Sequence, residues 1–394
     1  MENQIRFEHY PLRLVEPKFG SNLTKLIIDL DYMRRRILAG STSPAIFFQL
    51  KNIFHMLESI GSARIEGNNT TIAEYIETKI GDGNKSKAEG FKEISNMEEA
   101  LSFIDDNTDK FSINRSFVSE LHKMVVKELS VGEEGDPTPG EYRKHAVGIK
   151  NSKHIPPPNE IIVNQYMEEL FAFINDEHES QFDLLKAAIA HHRFVWIHPF
   201  RNGNGRTVRL FTYAMLIKQG FRVDMGKRIL NPTAVFCSNR DQYYDKLSKA
   251  DLGTDEGTLE WCEYVLGGLK NEIEKVDKLL DYKFLKTRIL IPALEFSVER
   301  KLITDEEDKV LRIVVEKQEI QAGDIKAIFH GKDPSIISRQ IKKLTDKQML
   351  MPVGEKRRKY TFRFGNNYLI RGIMSALGEN GFLPDKKMEG NLEK

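Results

Sequence analysis

Two cysteines in 394 residues are too few for a disulfide framework. Cys237 and Cys262 instead suit a reducing compartment, where thiols stay free. Long apolar runs are missing as well. None reaches the ~18 residues that span a bilayer, so no membrane partner is expected. The N-terminal Met1-Glu2-Asn3-Gln4-Ile5 has neither the basic start nor the apolar stretch of a secretory signal, which makes the cytoplasm the expected location. Charge of one sign is also lacking. The net charge of +1 argues against a protein that coats a polyanion along its whole length. Repeats and low-complexity tracts are absent. What remains is an ordinary soluble composition, 40% hydrophobic and 30% charged, in a chain long enough for two or three domains.

The chemistry is concentrated in His198-Pro199-Phe200-Arg201-Asn202-Gly203-Asn204-Gly205-Arg206-Thr207-Val208-Arg209. Glycines let backbone N–H groups approach an anion, and the start of the following helix adds unpaired N–H groups and a positive dipole end. Arginines supply forked donors for phosphate oxygens. A histidine is the side chain best placed to accept a proton near neutral pH. A dinucleotide-binding turn would need a preceding strand and a third glycine, yet Phe182 to Val195 reads as helix. No P-loop pattern occurs. A metal cluster on His191, His192 and His198 is a poor fit, because neighbouring helix positions point ~100° apart.

This run resembles the signature of the Fic family, His-Pro-Phe-x-(Asp/Glu)-Gly-Asn-Gly-Arg-x-x-Arg, with one departure: Asn202 stands where the family has a magnesium-holding acid. The resemblance implies transfer of AMP from ATP, with Mg2+, to a Ser, Thr or Tyr hydroxyl of a target protein and of the chain itself. His198 would be the base and Phe200 an anchor in the core. Gly203, Asn204 and Gly205 would donate to the α- and β-phosphates, Arg206 would hold the β-phosphate, and Arg209 would reach the γ-phosphate. Asn202 would remain a weaker metal ligand, or else mark a different donor or slow chemistry.

Upstream, Ser62-Ala63-Arg64-Ile65-Glu66-Gly67 reads on its own as a plain helix end. Beside the signature it resembles the family's inhibitory motif, (Ser/Thr)-x-x-x-Glu-(Gly/Asn), which implies that Glu66 occupies Arg209. In some relatives this glutamate also supports removal of AMP. The 140–158 segment reads as a connector or hairpin and resembles the family's target-registering flap, with Val147, Gly148 and Ile149 as its edge. Asn239 and Tyr243 resemble nucleobase contacts, though a helix start with buried tyrosines reads nearly as well.

The expected fold is mainly α: a Fic-type helical bundle with a β-hairpin flap, followed by a small winged helix-turn-helix domain. The expected divisions are an N-terminal helical region at 1–110, a catalytic core at 111–280 and a C-terminal domain at 281–394. Helices are expected at Leu23–Leu38, Pro44–Ile60, through Ile80 after a Thr71/Glu74 capping box, and at Glu89–Phe103, Asn114–Leu129, Glu160–Asn175, Phe182–Val195, Gly205–Lys218, Arg240–Lys249 and Leu259–Leu279. Three further helices and the strand segments 349–351 and 359–364 follow. Residues 331–360 hold nine Lys/Arg against three acids. That balance fits DNA at a wing tip (Lys356, Arg357, Arg358, Lys359), a protein contact, or a solvated face. The competing function is therefore a DNA-binding regulator whose Fic domain senses nucleotide with little turnover. A homodimer is compatible with either reading.

Overall fold

Apolar residues recur at helical spacing through most of the chain, and helices accordingly carry the architecture of the computed structural model. The structure describes residues 7–35, 40–80, 88–107, 110–149, 152–176, 179–221, 232–329, 334–354, 358–366 and 368–383. The helices are α1 (Asn22–Arg35), α2 (Pro44–Glu66), α3 (Ile72–Ile80), α4 (Glu89–Asn107), α5 (Arg115–Val126), α6 (Glu160–Asn175), α7 (Asp183–Ile197) and α8 (Asn204–Lys218), then α9 (Thr233–Cys237), α10 (Arg240–Ala250) and α11 (Asp255–Asp277). Beyond them lie α12 (Tyr282–Leu285), a π-helical turn over Lys286–Leu290, α13 (Ile291–Glu299), α14 (Asp305–Lys317), α15 (Pro334–Asp346) and α16 (Ile370–Glu379).

Three helices form the centre. Every residue of α2 from Ile53 to Ala63 is buried, as is every residue of α7 from Leu184 to Phe194 and of α8 from Arg206 to Ile217. A helix buried on all sides must pair its polar side chains internally. In α2 this is done by Lys51 and His55, which meet Asp105 of α4 at 2.5 and 3.2 Å. Tyr213 of α8 donates to the same carboxylate at 2.8 Å. The knot locks α2 against the other elements of the site.

Helix ends follow local chemistry. Asn114 and Asn159 accept the N–H groups of Phe117 and Ile162 at the starts of α5 and α6. The capping box of Thr71 and Glu74 opens α3 as expected. α2 runs past Ile60 to Glu66 and stops only at Gly67, whose φ of 113° lets the chain turn back. The inhibitory string is thus the last part of a long buried helix.

The C-terminal part follows the order helix, short strand, helical turn, helix, then two strands. β1 (Glu319–Ile320), β2 (Leu350–Val353) and β3 (Lys359–Phe362) form an antiparallel sheet of order β1-β3-β2, with Glu319 opposite Thr361 and Leu350 opposite Phe362. The two-residue β1 is too short to signal itself by alternation. This sheet touches α2 directly. Gln49 Nε2 donates to Phe362 O at 2.8 Å, and Gln49 Oε1 accepts from Phe364 N at 3.0 Å.

The expected β-hairpin flap is corrected. Among the described residues of 140–158 no strand ladder forms, and those residues run as an extended loop. Its backbone is held from below by a side chain, Arg143, and no second strand is required.

Candidate active site

α7 and α8 are joined by only six residues, 198–203, and that loop is rigid for identifiable reasons. His198 closes α7 in the left-handed conformation, φ 51°, a costly place for a non-glycine residue that turns the chain sharply into the loop. Gly203 takes φ 69° before α8, and a β-carbon there would press on Val126 at 3.0 Å. Phe200 is fully buried, stacked on His122 with ring centroids 3.8 Å apart. Asp136 accepts the N–H groups of Arg201 and Asn202 at 3.1 and 3.0 Å. His122 Nδ1 accepts from Gly140 N at 2.8 Å, so its Nε2 carries the proton and donates to Asn202 O at 3.1 Å. Burial, against the pull of Asp136, holds this histidine neutral, down to about 4.

Both signature arginines are occupied by carboxylates. Arg209 Nε donates to Ser62 Oγ at 2.7 Å, and its Nη2 donates to Ser62 O at 3.0 Å and Glu66 Oε1 at 2.7 Å. Burial alone would raise the Glu66 carboxyl, but Arg209, helped by Arg206, holds it below its ordinary range. Glu66 is therefore a charged, committed partner. It also lies over the start of α8, since a β-carbon on Gly205 would fall 2.1 Å from Glu66 Oε1. A carboxylate thus rests where an anion bound to the glycine turn would sit. Arg206 in turn meets Glu93 of α4 at 3.1 Å and Glu134 at 2.8 Å.

His198, half-buried, enters the loop from the end of α7. Burial and the neighbouring Arg143 guanidinium bring it down to about 4, so its ring is neutral at physiological pH. Arg143 is the main residue that sequence reading missed. It is buried and donates to His198 O at 2.7 Å, His145 O at 2.8 Å, Pro157 O at 2.6 Å and Ile197 O at 3.2 Å. One side chain therefore ties both ends of the flap to the base. Val147 and Ile149 are half-buried and Gly148 exposed, with no ladder bonds on that edge among the described residues.

Several expected roles are filled differently. The Asn204 amide closes the loop on itself, accepting from Phe200 N at 2.9 Å and donating to Phe200 O at 2.8 Å. That leaves its backbone for an anion. Asn202 Nδ2 donates to Glu133 O at 2.6 Å, while its Oδ1 accepts from Gly203 N at 2.7 Å. Asn239 caps α10 by accepting from Gln242 N at 3.0 Å. Tyr243 is buried and bonded to His191 at 3.1 Å, whereas Tyr244 presents the exposed ring beside it. His191 and His192 are bonded to Thr212 and Asp251, away from any shared ion.

In the C-terminal part, Lys343 and Lys347 are drawn to the buried carboxylate of Glu307 at 3.1 and 2.7 Å, and Lys359 to Glu319 at 3.2 Å. Arg339, Lys342 and Arg358 remain exposed, while Lys332, Lys356 and Arg357 lie outside the described residues.

A helical scaffold thus presents a neutral histidine beside a glycine turn and two arginines at a helix N-terminus, an arrangement suited to holding an anion. Residues 112–216 match the model of the Fic/DOC family, and the chain carries a Fic domain. It is 32% identical over 205 residues to the protein adenylyltransferase Fic of Drosophila virilis, an alignment covering 50% of this chain and 38% of that relative. The same identity relates it to the protein adenylyltransferase Fic of Drosophila melanogaster, over 37% of that protein. The chain thus spans well under half the length of the curated relatives it matches. Its fold resembles that of a Fic family protein from Desulfovibrio desulfuricans (TM-score 0.54, 17% identity, 90% of this chain and 98% of the other). It also resembles a Fic domain containing signaling protein from Bacteroides thetaiotaomicron (TM-score 0.53, 18% identity, 66% and 97%).

Proposed function

We propose that the protein is a self-inhibited protein adenylyltransferase that moves AMP from ATP to a Ser, Thr or Tyr hydroxyl of a target protein and of itself. The observation that carries this reading is the Glu66–Arg209 pair, closed at 2.7 Å over the glycine turn next to a neutral His198.

The chemistry follows from the parts. The target segment lies along Val147–Ile149 and places its hydroxyl at His198. The imidazole takes the hydroxyl proton as the oxygen attacks the α-phosphorus. The bond to the β-phosphate bridging oxygen breaks, and pyrophosphate leaves. The backbone at Gly203–Gly205, with Arg206 and Arg209, orients and neutralises the phosphates, which is most of what such a transfer needs. Nε and Nη1 of Arg206 are buried without a hydrogen-bond acceptor, which suits a phosphate oxygen. With Glu66 in place, Arg209 is unavailable and its carboxylate repels the γ-phosphate. Removal of AMP would use the same glutamate to position a water.

Among the described residues no three or more His, Cys, Asp or Glu side chains converge on a metal position. The Oδ1 of Asn202 has a lone pair beyond its bond to Gly203, so Mg2+ would be held by that oxygen and the nucleotide's phosphates. The ion would supply charge neutralisation at the bridging oxygens.

The C-terminal part reads as a winged helix-turn-helix that selects a target or partner. The DNA-regulator reading loses ground because three of its basic side chains are already neutralised by Glu307 and Glu319.

The test is incubation with labelled ATP. We expect faint self-labelling of the wild type, a several-fold or greater rise in Glu66→Gly, and none in the double variant that adds His198→Ala. Equal labelling with and without Glu66 would overturn self-inhibition. Labelling that persists without His198 would overturn the base assignment.

A further inference from the structure

Glu93 is a buried carboxylate that the transfer chemistry does not use. It projects from α4 between two parts of the site and is only 2% exposed. Its Oε1 lies 3.1 Å from Arg206 Nη1, and its Oε2 accepts from Asn68 Nδ2 at 2.7 Å. Asn68 directly follows Gly67, the residue that ends the inhibitory helix, and it also donates to Gly90 O at 2.9 Å on α4. The Glu93–Arg206 contact is an ion pair out of line for a hydrogen bond. Glu93 Oε1 and Arg206 Nη1 and Nε are consequently buried without hydrogen-bond partners. Such a contact is electrostatically sound but easily exchanged for a better one.

We propose that Glu93 is a second gate on the nucleotide site, holding Arg206 and the Asn68 end of the inhibitory helix together at rest and taking up a proton from solvent when a triphosphate claims Arg206. This inference rests on the nucleotide reading above.

The charges facing Glu93 explain the coupling. Arg206 of α8 attracts it, while Glu134 of the 131–136 loop and Glu66 of α2 repel it. Next to Arg206, His122 is held neutral, and Asp136 is bonded to the signature-loop amides. Burial lifts the Glu93 carboxyl to about 7, with Arg206 pulling the other way. At neutral pH the group is therefore balanced between its two forms. Phosphates arriving beside it add negative charge and withdraw the compensation of Arg206, and both changes favour the protonated acid. A neutral Glu93 no longer competes for the guanidinium. Burial raises the Glu134 carboxyl as well, against the pull of Arg206, but its side chain is 36% exposed, and water shields its part in the same exchange.

Binding that takes up a proton must strengthen as pH falls, approaching ~tenfold per pH unit where a whole proton is involved. The experiment is calorimetric titration of the full chain with α,β-methylene-ATP at pH 7.5, in two buffers of different ionisation heat. The buffer dependence of the observed heat counts protons. We expect more uptake by the wild type than by Glu93→Gln, and retention of most of that difference in Glu134→Gln. The nucleotide's own terminal phosphate loses protons on meeting arginines, and the Glu93→Gln titration isolates that opposing contribution. Binding by the wild type with a proton balance equal to that of Glu93→Gln overturns the gate while leaving the nucleotide site standing. Absence of any binding heat in the wild type and in Glu66→Gly overturns both.

Discussion

Glu66 Oε1 lies in the space that a β-carbon on Gly205 would need, 2.1 Å from its ideal position. The inhibitory carboxylate and the glycine of the anion turn thus compete for one volume. The glycine is there because something negative must come close to the backbone, and at rest that something is Glu66.

Gly205→Ala should therefore break the inhibitory pair without activating the enzyme. The new methyl displaces the Glu66 carboxylate and frees Arg209, but it stands where a phosphate must sit. In the background of Glu66→Gly, adding Gly205→Ala should slow self-labelling at least ~tenfold, as small misplacements at a reacting centre do. A double variant as fast as Glu66→Gly alone would mean that phosphates do not approach this turn.

Asn202 is held by its neighbours as well as by its chemistry. Its amide donates to Glu133 O at 2.6 Å, a bond that a carboxylate cannot make. In Asn202→Asp the side chain must turn away from that carbonyl, towards the cradle. The expected result is two-sided: half-maximal labelling at lower Mg2+, and a loss of ~1 kcal/mol in stability from the missing hydrogen bond. Labelling rates across a magnesium titration, together with thermal unfolding, check both. Unchanged magnesium dependence would remove Asn202 from the metal position.

The inhibitory helix is also gripped at its other end. Gln49 makes two hydrogen bonds to the backbone around β3, so the C-terminal sheet helps to fix the helix that carries Glu66. Gln49→Ala should weaken the docking of α2 by ~1 kcal/mol and raise self-labelling by up to ~fivefold. The same substitution combined with Glu66→Gly should add nothing, because the inhibitory contact is already gone. Additive effects would show that the sheet acts on the site by another route.

Much of this was legible in the sequence, and the reasons for the rest are physical. The signature loop announced itself because its residues serve chemistry and lie consecutively. The helix expected from pattern at Glu160–Asn175 is α6, with those bounds. The end of α2 was set too early, at Ile60, because residues 53–63 are buried on every side and so show no amphipathic period. Arg143, Asp136, Glu93 and Glu134 escaped because each meets the signature loop or Arg206 of α8 from far along the chain. Local pattern carries no trace of such partners. The Asp136-Pro137-Thr138 turn, in which Asp136 accepts from Thr138 N at 2.8 Å, was the nearest available signal. The hairpin expected at 140–158 does not form among the described residues, because short β-type pieces say nothing of whether a pairing strand is present.

Buried titratable groups set opposing pH trends in stability, and the signs can be worked out. His122 sits at about 4 in the folded protein, and burial also pushes His191 well below its ordinary value. Unfolded histidines titrate near ~6.5. Between those limits the unfolded chain binds more protons than the native one, so this stabilisation is complete above ~6.5 and is lost as pH falls towards 4. Glu93 works the other way. Its folded value of about 7 exceeds the ~4.3 of an unfolded glutamate, so the native state binds more protons in that window, and stability is lost as pH rises through 7. The melting temperature of the wild type should therefore fall on acidification from pH 6.5 to 4.5. The difference between Glu93→Gln and wild type should shift in favour of the variant as pH rises from 6 to 8. Thermal unfolding followed by circular dichroism across that range measures both, and a variant curve parallel to the wild type from pH 6 to 8 would mean that Glu93 is not titrating there.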